Sequence, residues 1–122
     1  MNCIYKNRLG AGGELLAKKY LQDKNLKFVK NNYRYDRAEI DLIFEDEENK
    51  MLIFIEVKTR RNKNFGEPIE SITAKKQKQI RKAAMGFISE NSSYLLHDLR
   101  IDVISIMINS GKAEIDHIEN AF

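Results

Sequence analysis

Met51-Leu52-Ile53-Phe54-Ile55-Glu56-Val57-Lys58 is a run of five apolar residues leading straight into an acid and a base two positions apart. The run is too apolar for a surface strand. Side chains alternate along a strand, so Glu56 and Lys58 project on one face while Ile55, Val57 and Thr59 take the other. Charges at the end of an interior strand are costly, and a chain keeps them when they hold something. Fifteen residues before Glu56, Asp41 is embedded in a second apolar stretch, Glu39-Ile40-Asp41-Leu42-Ile43-Phe44. A hairpin pairing these strands brings Asp41 towards Glu56 and completes an acid-acid-lysine cluster suited to a divalent cation and a phosphate. Phosphodiester cleavage is therefore the first chemistry to test.

Working outward, strands are expected over Ala38–Glu45 and Lys50–Arg60, joined by the charged turn Asp46-Glu47-Glu48-Asn49, with an earlier strand over Phe28–Tyr35. Gly10 to about Asn25 reads as a helix, because Leu16 with Tyr20 and Ala17 with Leu21 form one stripe. Glu14 falls on the buried side of that stripe, at the end where the helix dipole favours a carboxylate. Gly10, Gly12 and Gly13 suggest a close backbone approach there. After Arg60, the segment Arg61–Pro68 has no periodicity and reads as a loop leaving the cluster. Thr73 is the expected N-cap of a second helix to about Asn91, with Ile80, Ala83, Ala84, Phe87 and Ile88 as its core stripe. Lys76 and Gln77 extend that stripe inward and need partners, whereas Lys75, Lys78 and Lys82 point outward. Leu99–Asn109 and Lys112–Glu119 complete the strands.

The order α-β-β-β-α-β, with a short extra C-terminal strand, predicts an α/β fold: a mixed β-sheet flanked by two main helices. Hairpins make antiparallel neighbours, and the long second helix permits a parallel crossover. Functional residues should gather where the two strands carrying Asp41 and Glu56 diverge.

The 122 residues suit a single domain, 1–122, and a composition 43% hydrophobic and 32% charged suits a folded chain. No run approaches the roughly 20 apolar residues of a membrane span. The first residues lack a signal peptide's apolar core, and lone Cys3 cannot form an internal disulfide, so a reducing cytoplasm is expected and no membrane partner. Net charge is +3, unevenly spread. Asp36 to Glu56 holds eight acids against two bases, and Lys58 to Lys82 nine bases against two acids. Such a division can concentrate a cation at one segment and a polyanion at the other, or can simply be two solvated faces.

Glu14, Asp41 and Glu56-Val57-Lys58 together resemble the helix glutamate plus D…ExK signature of the restriction-endonuclease-like superfamily, in an order similar to that of archaeal Holliday-junction resolvases. Leu9-Gly10, Gly13-Glu14, Asn32-Tyr33-Arg34, Glu39 to Ile43, Phe54 to Arg60, Lys76 and Arg100 to Val103 look like the YraN-like family of small bacterial proteins. The likeness covers about Leu9 to Val103. It implies a restriction-endonuclease-like core and a nuclease-like site. Ala38 departs from the pattern, since the family more often has glycine there.

On this basis Glu14, Asp41, Glu56 and Lys58 are the candidate catalytic residues. Asp41, Glu56 and the Val57 backbone carbonyl are the candidate ligands for Mg²⁺ or Mn²⁺. Lys58 would orient or deprotonate the attacking water or stabilise the phosphate, and Glu14 would support the metal site. Arg60, Arg61, Lys63, Lys75, Lys76, Gln77 and Lys78 form a candidate track for a nucleic-acid backbone, with DNA favoured over RNA. A homodimer would supply two sites for two strand breaks. The alternative is a nuclease-like nucleic-acid-binding or protein-interaction module with little or no turnover. An isolated E-x-K is most often a weak surface ion pair, but the two apolar flanks and the helix glutamate occur together here. Asp102 reads as structural, paired with Arg100 or Arg34. Glu39 is either a support for Asp41 or a partner of Arg37. His97 and His117 have no zinc-ligand spacing. Tyr33 and Tyr35, with Arg34 and Arg37, are either stacking groups for bases or core and rim residues.

Overall fold

The apolar run around Phe54 becomes a central strand, and everything else is arranged about it. In the computed structural model, the described residues are 2–6, 12–60 and 72–122. They contain strands β1 (Asn2–Lys6), β2 (Lys27–Tyr35), β3 (Ala38–Asp46), β4 (Met51–Arg60), β5 (Asp98–Asn109) and β6 (Lys112–Ile118), and helices α1 (Gly13–Asp23) and α2 (Ala74–Glu90). The six strands form one mixed sheet in the order β1-β6-β5-β4-β3-β2. The β4 and β5 pair is parallel because α2 carries the chain back across the sheet; the other neighbours are antiparallel.

Both faces of β4 are covered, which explains its unbroken hydrophobicity. Leu52 and Phe54 pack with Ile43, Ile101 and Val103 under the α2 stripe Ile80, Ala83, Ala84, Phe87 and Ile88. Ile53 and Ile55 pack on the opposite face with Leu42, Phe44, Ile104 and Ile106 against Leu16, Ala17, Tyr20 and Leu21 of α1. Each Leu, Ile or Phe fully buried in this way contributes about 1.5–3 kcal/mol of transfer free energy.

The expected restriction-endonuclease-like core is present, with the predicted helix and strand order. One element was not foreseen: β1, an edge strand paired with β6 from Asn2↔Asp116 to Lys6↔Lys112. Its five residues are too few and too mixed to carry a strand pattern. The first helix is shorter than expected. Gly12 is its extended N-cap, and Asn25, at φ 63, turns the chain into the left-handed region just past its end. Thr73 caps α2 as expected, its side chain accepting from the Lys76 N–H at 3.1 Å. The loop expected over Arg61–Pro68 lies outside the described residues.

Two features position the site. The β3–β4 ladder runs from Asp46↔Met51 to Leu42↔Ile55 and stops, while β3 stays paired with β2 as far as Tyr35↔Ala38. Ile40 and Ile43 pack into the same cluster although three residues apart, so regular alternation breaks across Asp41. At the same end of β4, a Cβ added to Gly13 would lie 2.0 Å from Thr59 Oγ1. Only glycine lets the start of α1 come this close to the strand.

Candidate functional site

Asp41 and Glu56 are the first residues beyond the end of the β3–β4 ladder. Where the strands part, the Val57 N–H loses a backbone partner on β3, and Asp41 Oδ2 takes it at 2.8 Å. The side chain thus satisfies a backbone donor and is itself fixed in place. Of Val57, then, it is the N–H that the structure ties to the acidic pair.

Glu56 is only 6% exposed. Burial pushes its pKa up to about 8, reinforced by a hydrogen bond to Asp41 and by that carboxylate's charge, and opposed by Lys76 and Lys58. Burial and the neighbouring Asp41 charge thus both favour the protonated form of Glu56. Lys76 Nζ lies 3.4 Å from Glu56 Oε2, yet Oε2 has no hydrogen-bond partner in good geometry among the described residues. Lys58 is half-buried on the same face of β4, two residues further on.

Glu14 was expected on the buried side of α1. It is exposed instead, because it stands in the first turn, where its side chain points back towards the helix start and clears the packed stripe. It still lies within range of Asp41: partial desolvation, then the charges of Asp41 and Glu39, raise its pKa. The structure thus gathers Glu14, Asp41, Glu56, Lys58 and Lys76 at one end of the sheet. Lys75 and Lys78 are exposed on α2, and Arg60 is half-buried at the end of β4. Gln77 turns to the backbone, its amide donating to the Ile72 carbonyl at 3.2 Å. Arg61 and Lys63 lie outside the described residues.

The acidic segment of the sequence does not converge on this site as its charge count suggested. The hairpin carries Glu45 to Glu48 to the opposite end of the sheet. There Glu45 bonds His97 at 2.7 Å, Asp46 accepts from the Asn49 side chain at 2.8 Å, and Glu47 lies 3.8 Å from Lys27. Glu39 pairs with Arg34 at 3.0 Å rather than with Arg37. Asp102 is fully buried and structural, paired with Arg100, not Arg34. Both its oxygens accept from Arg100 at 2.9 Å, Oδ2 contacts His117 Nε2 at 2.7 Å, and Oδ1 accepts the Asn120 N–H at 3.0 Å. Burial alone would raise its pKa, but the bonds to His117, Arg100 and Asn120 outweigh burial and hold it below the ordinary value. Tyr33 is buried and packs on Phe87, so it is a core residue.

The acidic pair fits a hard divalent cation. Among the described residues no three His, Cys, Asp or Glu side chains converge into a protein-only cage. Mg²⁺ needs none, since it is commonly held by one or two carboxylates with water and phosphate oxygens completing its shell. A carboxyl oxygen lacking a hydrogen bond, whose burial and acidic neighbour both raise the cost of its charge, is a place where a cation would relieve that cost.

A restriction-endonuclease-like sheet with carboxylates at the point where two strands part defines the class of protein. The chain belongs to the Uncharacterised protein family UPF0102, which it matches over residues 13–106, a span that includes every residue gathered at the site. It is 39% identical over 114 residues to a UPF0102 protein of Syntrophomonas wolfei, covering 93% of this chain and 96% of that one. A UPF0102 protein of Chlorobaculum tepidum is 42% identical over 120 residues, covering 93% and 91%. One from Vibrio parahaemolyticus is 39% identical over 121 residues, covering 99% and 97%. A solved structure of Pyrococcus furiosus SfsA in complex with Ca²⁺ is distantly similar, with a TM-score of 0.34 and 13% identity over 87% of this chain and 60% of that one.

Proposed function

We propose that this chain is a divalent-metal-dependent nuclease that hydrolyses phosphodiester bonds in DNA, with Asp41 and Glu56 holding Mg²⁺ or Mn²⁺. The observation that carries this reading is the carboxyl pair at the strand divergence, Glu56 buried and Asp41 half-buried, flanked by the ammonium groups of Lys58 and Lys76. When bound, the ion supplies charge stabilisation for the phosphate and the attacking oxygen. Asp41, locked by the Val57 N–H, fixes one side of the site. Glu56 would hold the ion as its carboxylate, the form that the nearby Lys76 and Lys58 ammonium groups favour. Lys58 balances the negative charge that builds on the phosphate, and Lys76 exchanges its ion pair with Glu56 for a phosphate oxygen. Glu14, open to solvent, orients water on the side away from α2.

Asp41→Ala and Glu56→Ala should each abolish metal-dependent cleavage of linear and four-way DNA while the protein remains folded by circular dichroism. Undiminished cleavage by both variants would remove the mechanism.

The Lys76–Glu56 ion pair favours a second reading, in which the ammonium permanently takes the cation's place and the chain binds nucleic acid without turnover. Titration calorimetry separates the two. Mg²⁺ or Mn²⁺ binding by wild type that is lost in Asp41→Asn supports the enzyme; no metal binding together with metal-independent DNA binding supports the module.

A further inference from the structure

The turn between β2 and β3 and the middle of α2 enclose a cationic niche outside the acidic pair. Tyr35, Asp36, Arg37, Ala38, Gln79 and Lys82 line a depression of about 150 Å³, and a second of about 240 Å³ on the other side of the turn shares Asp36, Arg37 and Ala38. Both are smaller than the roughly 300–1,000 Å³ of small-molecule sites, so they suit a single ionic group rather than a whole nucleoside.

The niche is built rather than incidental. A Cβ on Gly86 would fall 2.4 Å from the Tyr35 ring, so the ring lies directly on the backbone of α2 and pins the turn to the helix. Lys82 Nζ is held 3.0 Å from Asp36 Oδ2. Arg34 is occupied by Glu39, whereas Arg37 is exposed and makes no direct ion pair among the described residues. With Asp36 committed to Lys82, the Arg37 guanidinium and the Gln79 amide remain as donors.

The niche also lies at a definite distance from the acidic pair. Ala38 precedes Asp41 by three strand residues, about 10 Å at 3.3 Å per residue. Along α2, Gln79 and Lys82 follow Lys76 by about 4.5 and 9 Å at 1.5 Å per residue. Ala38 along the strand and Lys82 along the helix thus both lie about 9–10 Å from the acidic end, with Gln79 about half as far.

The geometry points to a subsite at Arg37 and Gln79, beside the Lys82–Asp36 pair, that grips a backbone phosphate of the nucleic acid close to the bond at Asp41 and Glu56; it rests on the nuclease reading and extends it. The contact fixes strand position without reading bases.

Fluorescence anisotropy with a labelled 20-base-pair duplex in EDTA, over a salt series, tests it without requiring cleavage. Arg37→Ala should weaken binding five- to tenfold and reduce the log-log salt slope by about 0.9, the value for one phosphate contact. Asp36→Asn should tighten binding two- to fivefold, because it removes the carboxylate from the niche. A purely structural turn would make both variants weaker, an outcome that overturns the subsite. If wild type binds and Lys76→Ala weakens binding while Arg37→Ala changes neither affinity nor slope, the subsite is wrong and the nuclease reading stands. If wild type does not bind the duplex at all, the subsite falls, and the nuclease reading is decided by the cleavage assay.

Discussion

Glu56 is the residue at which structure and chemistry meet. Its raised pKa, about 8 against an ordinary 4.5, means that the folded chain keeps a proton that the unfolded chain gives up. The stability this contributes is fully present below about pH 4.5 and is lost as pH rises through about 8. Wild type should therefore lose stability, on the order of a few kcal/mol, between pH 5 and pH 9 without added metal, and Glu56→Gln should flatten that slope. Urea denaturation across this range checks it; equal slopes in both proteins would show that Glu56 is not the titrating group. Asp102 has the opposite sign, its pKa lowered by the bonds it accepts. The sequence could say that both were acids inside apolar strands. It could not say which was satisfied, because Asp102's partners His117 and Asn120 come from the far end of the chain. Arg34 and Arg37 were equally ambiguous, three residues apart around a turn whose conformation decides which one meets Glu39.

At the scale of elements, hydrophobic period carried most of the information. The α2 stripe and the alternating strands are local patterns, and burial on both faces of β4 follows from an unbroken apolar run. Lys76 and Gln77 on the inward side of α2 called for partners, and Glu56 and the Ile72 carbonyl are those partners. Exposure of Glu14 was not legible, because it depends on where α1 starts, and that is set by contact with β4 rather than by a cap in the sequence. Gly13 makes the contact. Gly13→Ala should favour the helix locally, yet its methyl would meet Thr59, so the expected net effect is destabilisation of about 1–3 kcal/mol from overpacking. In the double variant with Thr59→Ala the nearest obstruction, Oγ1 at 2.0 Å, is gone and the next atom, Cβ, is at 3.3 Å. Most of the lost stability should return, and additive effects of the two substitutions would show that α1 is not seated by this contact.

For the whole molecule, the sheet separates two kinds of charge that the sequence runs together. Acids of the β3–β4 turn are spent at one end against His97 and Lys27, while Asp41 and Glu56 meet at the other, where the ladder opens. Charge counted along the chain therefore misplaces the acidic centre, since a hairpin sends neighbours in sequence to opposite ends of a sheet. What remains at the open end is a carboxyl pair that needs either a proton or a cation, and the two must compete. On the proposed function Mg²⁺ is held by this pair in the folded chain alone, and it should then stabilise by RT ln(1 + [L]/Kd). The gain should grow from pH 6 to pH 9 as Glu56 is more readily deprotonated. At a Mg²⁺ concentration tenfold above Kd the expected gain is about 1.4 kcal/mol, a rise in Tm of about 5 °C for a domain of this size. Differential scanning calorimetry with and without Mg²⁺ at both pH values measures it. A rise independent of pH, or one retained in Glu56→Gln, would mean that the ion binds elsewhere.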